Sequence, residues 1–182
     1  MASSNTAPPL VLVIGGARSG KSRHAEALAQ QSGAPVTYVA TAGPPQDAEM
    51  AERIAKHKAT RPATWRTVET VDGLGDVITT TTGVVLVDCL TLWLSNLMFA
   101  DRDLDDARKT LGEALEARAG AVILVTNEVG EGIVPATPLG RRFRDGQGVL
   151  NVWAAGKATN VIKMVAGVPL TVKPSPFPEF SL

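Results

Sequence analysis

Short apolar segments alternate along the chain with longer segments in which apolar residues recur at helical spacing. Seven segments have the composition of buried strands, bounded by turn residues: Leu10 to Ile14, Pro35 to Thr41, Trp65 to Val68, Val84 to Val87, Ala121 to Thr126, and a final pair at Val161 to Ala166 and Pro169 to Val172. Five segments have the periodicity of helices: Ser22 to Gln31, Asp47 to Lys58, Leu90 to Phe99, Leu104 to Arg118, and Leu139 to Lys157. Apolar strands alternating with helices predict an α/β fold, a mostly parallel sheet covered by helices on both faces.

Length and composition indicate one domain. The chain has 182 residues, enough for one full-sized domain, and no internal repeat or linker interrupts it. Residues 1–9 and 174–182 are rich in proline and small residues, so we expect a terminal tail at each end of a single domain at 10–173.

Charge and cysteine usage exclude some classes of protein. Eighteen basic residues balance eighteen acidic ones, which argues against a general nucleic-acid or membrane-surface binder. Cys89 is the one cysteine, so no intramolecular disulfide can form. The N-terminus lacks a secretory pattern and the apolar stretches are too short to span a bilayer, so we expect a cytoplasmic protein without membrane insertion.

The strongest motif follows the first predicted strand. Residues 15–22, Gly-Gly-Ala-Arg-Ser-Gly-Lys-Ser, match the P-loop pattern G-x-x-x-x-G-K-[ST] between a strand and a helix. The glycines allow successive N–H groups to face one phosphate, and the helix N-terminus adds positive potential. We expect Lys21 to reach the β- and γ-phosphates of a nucleoside triphosphate and the Ser22 hydroxyl to bind Mg²⁺.

Asp88 follows the predicted strand at 84–87, where a second carboxylate would hold Mg²⁺ or its water. The alternative is that Asp88 caps the helix beginning near Leu90, and both roles are compatible. Cys89 beside it is interpreted as a small buried apolar residue.

His57 lies in a cationic segment at the end of the second predicted helix. Four cations surround it within five residues: Arg53, Lys56, Lys58 and Arg61. One interpretation is a solvated basic helix end, which the helix dipole favours. The other is a nucleophile toward phosphorus, because a cationic field favours the neutral imidazole and would stabilise phosphoryl oxygens during attack. His24 is interpreted as structural.

Longer motifs identify a family. The run Gly15 to Glu26 resembles the bifunctional adenosylcobinamide kinase / adenosylcobinamide-phosphate guanylyltransferase of cobalamin biosynthesis, and further similar segments follow in order from Leu10 to Lys173. They are Tyr38 to Ala42, His57 with Arg61 to Glu69, Asp88 to Thr91 with Asn96, and Val125 to Pro135. Lys56 stands where many relatives have a second histidine, and the stretch from Gly146 to Trp153 departs from the usual pattern.

The resemblance implies a RecA-like P-loop core, a homotrimer, and two reactions at one site. In the first implied reaction, the enzyme phosphorylates the aminopropanol hydroxyl of adenosylcobinamide with ATP or GTP. In the second, it transfers GMP from GTP to that phosphate through a guanylyl-histidine at the position of His57. The resemblance also implies a set of nucleotide contacts: Gly15, Gly16, Ala17, Arg18, Ser19, Gly20, Lys21, Ser22, Ala40, Thr41, Ala42, Lys58, Ala59, Thr60, Arg61, Glu69 and Asp88.

Two other functions stay open from the residues alone. A simple small-molecule kinase would need the P-loop and Mg²⁺ but no nucleophilic histidine. A GTP-dependent switch is suggested by Asp72-Gly73-Leu74-Gly75, which fits D-x-x-G, although no N-K-x-D segment follows.

Two further segments are candidates for contact with the second substrate. The loop from Asn127 to Pro135, with Glu128 and Glu131, follows a buried strand and should border the site. The cations Arg141, Arg142 and Arg144 would meet a phosphate or form a solvated helix face.

Overall fold

The computed structural model describes residues 8–44, 47–59 and 61–174. Within the helix at 48–59, the side chains of Met50, Arg53, Lys56 and His57 also lie outside the described part. The predicted terminal tails fall almost wholly outside these ranges, so their conformation stays a prediction.

The described residues form an alternating series of strands and helices. The strands are β1 (Leu10–Gly15), β2 (Val36–Ala40), β3 (Arg66–Glu69), β4 (Val84–Asp88), β5 (Val122–Asn127), β6 (Asn160–Val165) and β7 (Val168–Lys173). The helices are α1 (Lys21–Gln31), α2 (Ala48–Ala59), α3 (Leu74–Thr80), α4 (Leu90–Phe99), α5 (Leu104–Ala117) and α6 (Pro138–Lys157). The predicted elements are all present, with bounds that differ by only one or two residues.

All seven strands belong to one sheet, in the order β3-β2-β4-β5-β1-β6-β7. Every neighbouring pair is parallel except β6 and β7, which form an antiparallel hairpin at the edge. The carboxyl ends of β1, β2, β4 and β5 therefore meet at one edge of the sheet, where parallel α/β folds bind ligands.

The sheet separates two apolar layers because successive strand side chains point to opposite faces. In β1, Leu12 packs with α3, α4, α5 and α6, whereas the next residue, Val13, packs with α1. Each side chain is fully buried. The expected arrangement of helices on both faces of a mostly parallel sheet is confirmed.

The helix α3 was not predicted from the sequence. Its segment was interpreted as a possible D-x-x-G loop, but Leu74 and Ile78 are fully buried, and Gly75 lies inside the helix facing Thr110 of α5. With only seven residues, two of them threonines at its end, α3 has a weak intrinsic helical signal. Tertiary packing on α5 stabilises it.

Candidate active site

The P-loop forms a tight turn between β1 and α1. Gly20 precedes the helix with φ 90°, a left-handed conformation that favours glycine, and Lys21 is the first helical residue. The Lys21 ammonium donates to the carbonyl oxygen of Gly16 at 3.2 Å, and the residue is only 8% exposed. The loop therefore holds its cation inside the turn, where phosphate oxygens would approach the backbone N–H groups.

The hairpin of β6 and β7 packs against this turn. The N–H of Gly167 donates to the Ser19 carbonyl oxygen at 3.1 Å. A side chain at Gly15 would lie 2.6 Å from the Ser19 hydroxyl oxygen and 3.0 Å from the Met164 carbonyl oxygen, so only glycine fits there. The edge hairpin thus contributes to the shape of the phosphate loop.

Asp88 ends β4 with its carboxylate held by a tyrosine. The hydroxyl of Tyr38 donates to Asp88 Oδ2 at 2.7 Å. Burial raises the pKa of Tyr38 above its ordinary value, and the nearby Asp88 charge raises it further, so the phenol remains a proton donor. Helix α4 has no side-chain cap and begins after Cys89, so Asp88 does not cap it.

Arg61 stacks on the ring face of the same tyrosine, Tyr38. Its guanidinium carbon lies 3.5 Å from the centroid of the Tyr38 ring, in the geometry of a cation–π contact. Within the described residues, Arg61 Nε and Nη1 are buried without a hydrogen-bond partner. Buried guanidinium donors without a partner indicate a place where an anion can bind.

Thr41 connects the ends of β2 and β4 rather than facing the site. Its hydroxyl donates to the Cys89 carbonyl oxygen at 2.7 Å and accepts from the Cys89 N–H at 2.9 Å, and Asn96 donates to its carbonyl oxygen. The residue is fully buried. Burial raises the pKa of the neighbouring Cys89 thiol to about 11, with the Asp88 charge contributing, which fits the expected buried apolar role.

A cavity of about 590 Å³ brings together expected nucleotide contacts from separate parts of the chain. Eight of the expected nucleotide contacts line it: Lys21, Ser22, Ala40, Ala42, Lys58, Arg61, Glu69 and Asp88. Lys58 and Glu69, on opposite sides of the connection from α2 to β3, form an ion pair at 2.6 Å between half-exposed side chains.

The expected nucleophile belongs to the helix that borders this cavity. His57 lies in α2 three residues after Ile54 and one before Lys58, and both of those residues line the cavity. The His57 side chain and the whole of Thr60 lie outside the described residues, so their expected roles stay predictions.

Ser22 and Asp88 both line the cavity and offer a hydroxyl and a carboxylate oxygen. Among the described residues, no group of three His, Cys, Asp or Glu side chains forms a metal cage. Mg²⁺ is usually held by one or two protein oxygens together with phosphates and water, so this donor set fits it.

Comparison with known proteins identifies the family. A family model described as cobinamide kinase / cobinamide phosphate guanyltransferase matches residues 11–172. The chain belongs to this family. A bifunctional adenosylcobalamin biosynthesis protein, CobP, from Pseudomonas aeruginosa is 46% identical over 170 residues, covering 91% of this chain and 98% of that protein. CobU, of the same description, from Salmonella typhimurium is 42% identical over 182 residues, covering 90% and 99%.

The cobinamide kinase / guanyltransferase chain also shares its fold with distant proteins. The crystal structure of the flagellar accessory protein FlaH from Methanocaldococcus jannaschii matches with a TM-score of 0.51 at 16% identity, covering 93% of this chain and 81% of that one. Together with the P-loop and the strand order, this likeness confirms the RecA-like P-loop fold. No helix in the described ranges has the length and apolar character needed to cross a membrane.

Tyr38 and Asn127 line the cavity of this family member; Tyr38 was assigned no role from the sequence, whereas Asn127 lies in the loop expected to border the site. Tyr38 lies two residues before Ala40 in β2, so the two side chains are on the same face of the sheet. Because Ala40 is an expected nucleotide contact, this spacing could have indicated Tyr38 as a site residue. Burial raises the pKa of Glu26, the Asp88 charge raises it further, and Arg61 opposes them, which places Glu26 near both charges. Asn127 lines the cavity.

Of the segment from Asn127 to Pro135 that was expected to border the site, Asn127, the last residue of β5, lines the cavity, and residues 128–135 are not among its lining residues. Glu128 accepts from the N–H of Gly130 at 2.7 Å, and Glu131 pairs with Lys163 of β6. Arg141 donates to carbonyl oxygens at 135 and 136, and Arg144 pairs with Asp145. Each of these four charged side chains therefore has a hydrogen-bond or ion-pair partner within the protein.

Proposed function

We propose that this family member carries out two consecutive transfers at the one cavity. It phosphorylates the aminopropanol hydroxyl of adenosylcobinamide with ATP or GTP, and then transfers GMP from GTP to the new phosphate, giving adenosylcobinamide-GDP. The observation that carries the proposal is that one cavity joins the P-loop residues Lys21 and Ser22 to Lys58 and Arg61 beside the end of α2.

The kinase step uses the P-loop end of the cavity. The backbone N–H groups of residues 15–22 and the Lys21 ammonium hold the triphosphate, and they neutralise charge as the γ-phosphoryl group is transferred. Ser22 and Asp88 would hold Mg²⁺, which would supply positive charge to offset the negative charge of the phosphates. Tyr38 keeps the Asp88 carboxylate oriented through its hydroxyl.

The guanylyl step uses the end near α2. A ring nitrogen of neutral His57 forms a bond to the α-phosphorus of GTP, and the bond to the α–β bridging oxygen breaks, so that pyrophosphate leaves with the electron pair. A phosphate oxygen of adenosylcobinamide phosphate then attacks the same phosphorus, and the imidazole departs as the leaving group. Lys58 and Arg61 neutralise the charge on the α-phosphoryl oxygens.

The unpartnered donors of Arg61 support this division of the cavity. A guanidinium that is buried against Tyr38, with Nε and Nη1 unbonded among the described residues, is already oriented for an anionic ligand. A solvated basic helix end would leave such donors in water. The alternative is a simple kinase, which has no covalent intermediate. The labelling experiment described next distinguishes the two.

The first prediction concerns His57. Incubation with GTP labelled at the α-phosphate should leave acid-labile label on the protein, because a phosphorus–nitrogen bond to imidazole hydrolyses in acid. His57→Ala should carry no label, whereas His24→Ala, which removes the other histidine, should be labelled like the native protein. Native protein that takes up no label would leave only the kinase activity.

The second prediction concerns Lys21. Lys21→Ala should lower phosphorylation of adenosylcobinamide by at least about 100-fold, because the cation over the β- and γ-phosphates is lost. Arg23→Ala removes an exposed cation from the same helix and should change the rate by less than about twofold. Full kinase activity in Lys21→Ala, measured as transfer of γ-phosphate label, would rule out the P-loop assignment.

A further inference from the structure

Asn127 occupies a central position at the carboxyl edge of the sheet. It is the last residue of β5, which lies between β4, ending at Asp88, and β1, ending at Gly15. Gly15 and Asn127 are partners in the register of β1 and β5. Asn127 therefore lies between the strand of the expected metal ligand and the strand of the phosphate loop, and it lines the cavity with Lys21, Ser22 and Asp88.

The backbone of Asn127 is held from two sides by side chains. Its N–H donates to the Thr91 hydroxyl at 2.8 Å, and its carbonyl oxygen accepts from Asn151 Nδ2 at 3.0 Å. Asn151 is itself fixed by Thr126 and Gln147, each at 2.8 Å, and all three are nearly or fully buried. The main chain at this position cannot shift easily.

The side chain of Asn127, in contrast, is not used by the fold. Its Oδ1 atom is buried and has no hydrogen-bond partner among the described residues. The nearby amides of Asn96 and Asn151 both bond to the protein. A buried amide oxygen without a partner is unfavourable, and Asn127 is a cavity-lining residue, so a ligand group is the natural partner for this oxygen.

The unpartnered atom of Asn127 selects the ligand group. An amide oxygen accepts hydrogen bonds, and the oxygens of a triphosphate are largely deprotonated at neutral pH, so the triphosphate alone is a poor donor to it. A hydroxyl can donate to it. The amide nitrogen of the same group donates, which suits a γ-phosphoryl oxygen next to that hydroxyl.

We infer that Asn127 is a catalytic residue of the kinase step, whose carboxamide accepts from the acceptor hydroxyl and donates to the γ-phosphoryl group. The inference rests on the proposed function. The hydroxyl oxygen forms a bond to the γ-phosphorus, and the bond to the β–γ bridging oxygen breaks, so that the nucleoside diphosphate leaves with the electron pair. Once the new bond to phosphorus has formed, the hydroxyl proton leaves its hydrogen bond to Asn127 and passes to solvent, so Asn127 aligns the attack without taking the proton.

This role predicts that the two reactions respond differently to Asn127. In the guanylyl step, the nucleophile is His57 and the electrophile is the α-phosphorus. Neither the acceptor hydroxyl nor the γ-phosphorus reacts in that step. Asn127→Ala should lower kcat of adenosylcobinamide phosphorylation by about 100-fold with KM for both substrates within about threefold. Labelling of the protein by α-labelled GTP, and GMP transfer to adenosylcobinamide phosphate supplied directly, should stay within about threefold of the native rates.

Asn127→Asp is the second variant, because it keeps the shape and one acceptor oxygen but places a negative charge beside the phosphates. It should lose the kinase step to a similar extent and keep protein labelling when GTP is saturating, because saturation offsets weaker binding of the triphosphate. Each variant is compared with native protein by thermal unfolding. A drop in stability without the kinetic split would indicate only a structural role and would overturn the inference.

The remaining outcomes separate the inference from the proposed function. Equal loss of labelling and kinase activity in a folded variant would make Asn127 a general nucleotide contact and overturn the inference. Native kinase activity in both variants would also overturn it. Native protein that phosphorylates adenosylcobinamide but takes up no α-label would instead remove the guanylyl step, while the kinase comparison would still test Asn127.

Discussion

Tyr38 links the two oppositely charged groups of the cavity. Its hydroxyl bonds to Asp88, and its ring face contacts Arg61. A single aromatic side chain can do both because its polar end and its π face point in perpendicular directions. At the scale of one residue, Tyr38 therefore connects the expected Mg²⁺ ligand to the expected α-phosphate cation.

We predict that Tyr38→Phe raises the Mg²⁺ concentration for half-maximal kinase activity by about tenfold, because groups that orient a metal ligand contribute that much. The phenylalanine ring keeps the contact with Arg61, so label uptake from α-labelled GTP should change little. Since burial raises the pKa of Tyr38, its ionisation should add no step to the pH profile below pH 10.

Tyr38→Leu is the matched variant, because it removes both contacts. It should show the altered Mg²⁺ dependence and, in addition, slower label uptake. An unchanged Mg²⁺ requirement in Tyr38→Phe, measured by titration of initial rates, would show that Asp88 needs no orientation by the tyrosine.

At the scale of elements, Arg118 joins the end of α5 to the end of α3. The sequence predicted that the helix would include Arg118, but α5 ends at Ala117 and Arg118 is extended. Its guanidinium, 7% exposed, donates to the carbonyl oxygens of Ile78, Thr81 and Gly83. The Ile78 carbonyl is buried in the last turn of α3, and the other two lie just beyond the helix, where intrahelical N–H partners are lacking.

We predict that Arg118→Ala lowers the free energy of unfolding by about 2–4 kcal/mol, because charged donors are removed from buried carbonyl oxygens. Equilibrium unfolding in urea, followed by far-UV circular dichroism, measures this loss. Arg102→Ala removes a half-exposed arginine 3.8 Å from Asp72 and should change stability by less than about 0.5 kcal/mol. Equal effects of the two substitutions would contradict the capping role.

At the scale of the whole molecule, the cavity is lined by many elements of the fold, so a nucleotide bound there would stabilise the folded state. The lining residues of the cavity come from β2, β3, β4, β5, α1, α2 and α4, so a ligand would contact segments that are distant in the sequence. A ligand that binds only the folded state stabilises it by RT ln(1 + [L]/Kd).

We predict that a non-hydrolysable GTP analogue with Mg²⁺, at 100 times its Kd, stabilises the protein by about 2.7 kcal/mol. For a domain of this size that corresponds to a rise in Tm of about 5–10 °C. Differential scanning calorimetry measures the shift, and Lys21→Ala should reduce it strongly. A native Tm that does not respond to saturating nucleotide would argue against binding at the P-loop.

Local patterns in the sequence were enough to predict most of the architecture and the phosphate loop. The apolar runs of β1, β4 and β5 are short and uninterrupted because both faces of a parallel sheet are buried. The loop at 15–22 is equally local, since one strand, one turn and one helix provide all of its groups. Even the cations beside His57 are neighbours in the chain.

Tertiary structure alone decided the contacts between distant segments. Helix α3 is too short to be recognised by propensity, and it forms because Leu74 and Ile78 are buried and Arg118 caps its end. Tyr38 meets Asp88 across a separation of fifty residues, and Asn127 reaches the cavity because β5 pairs between β4 and β1. Such contacts depend on strand order, which a linear pattern of apolar and polar residues does not specify.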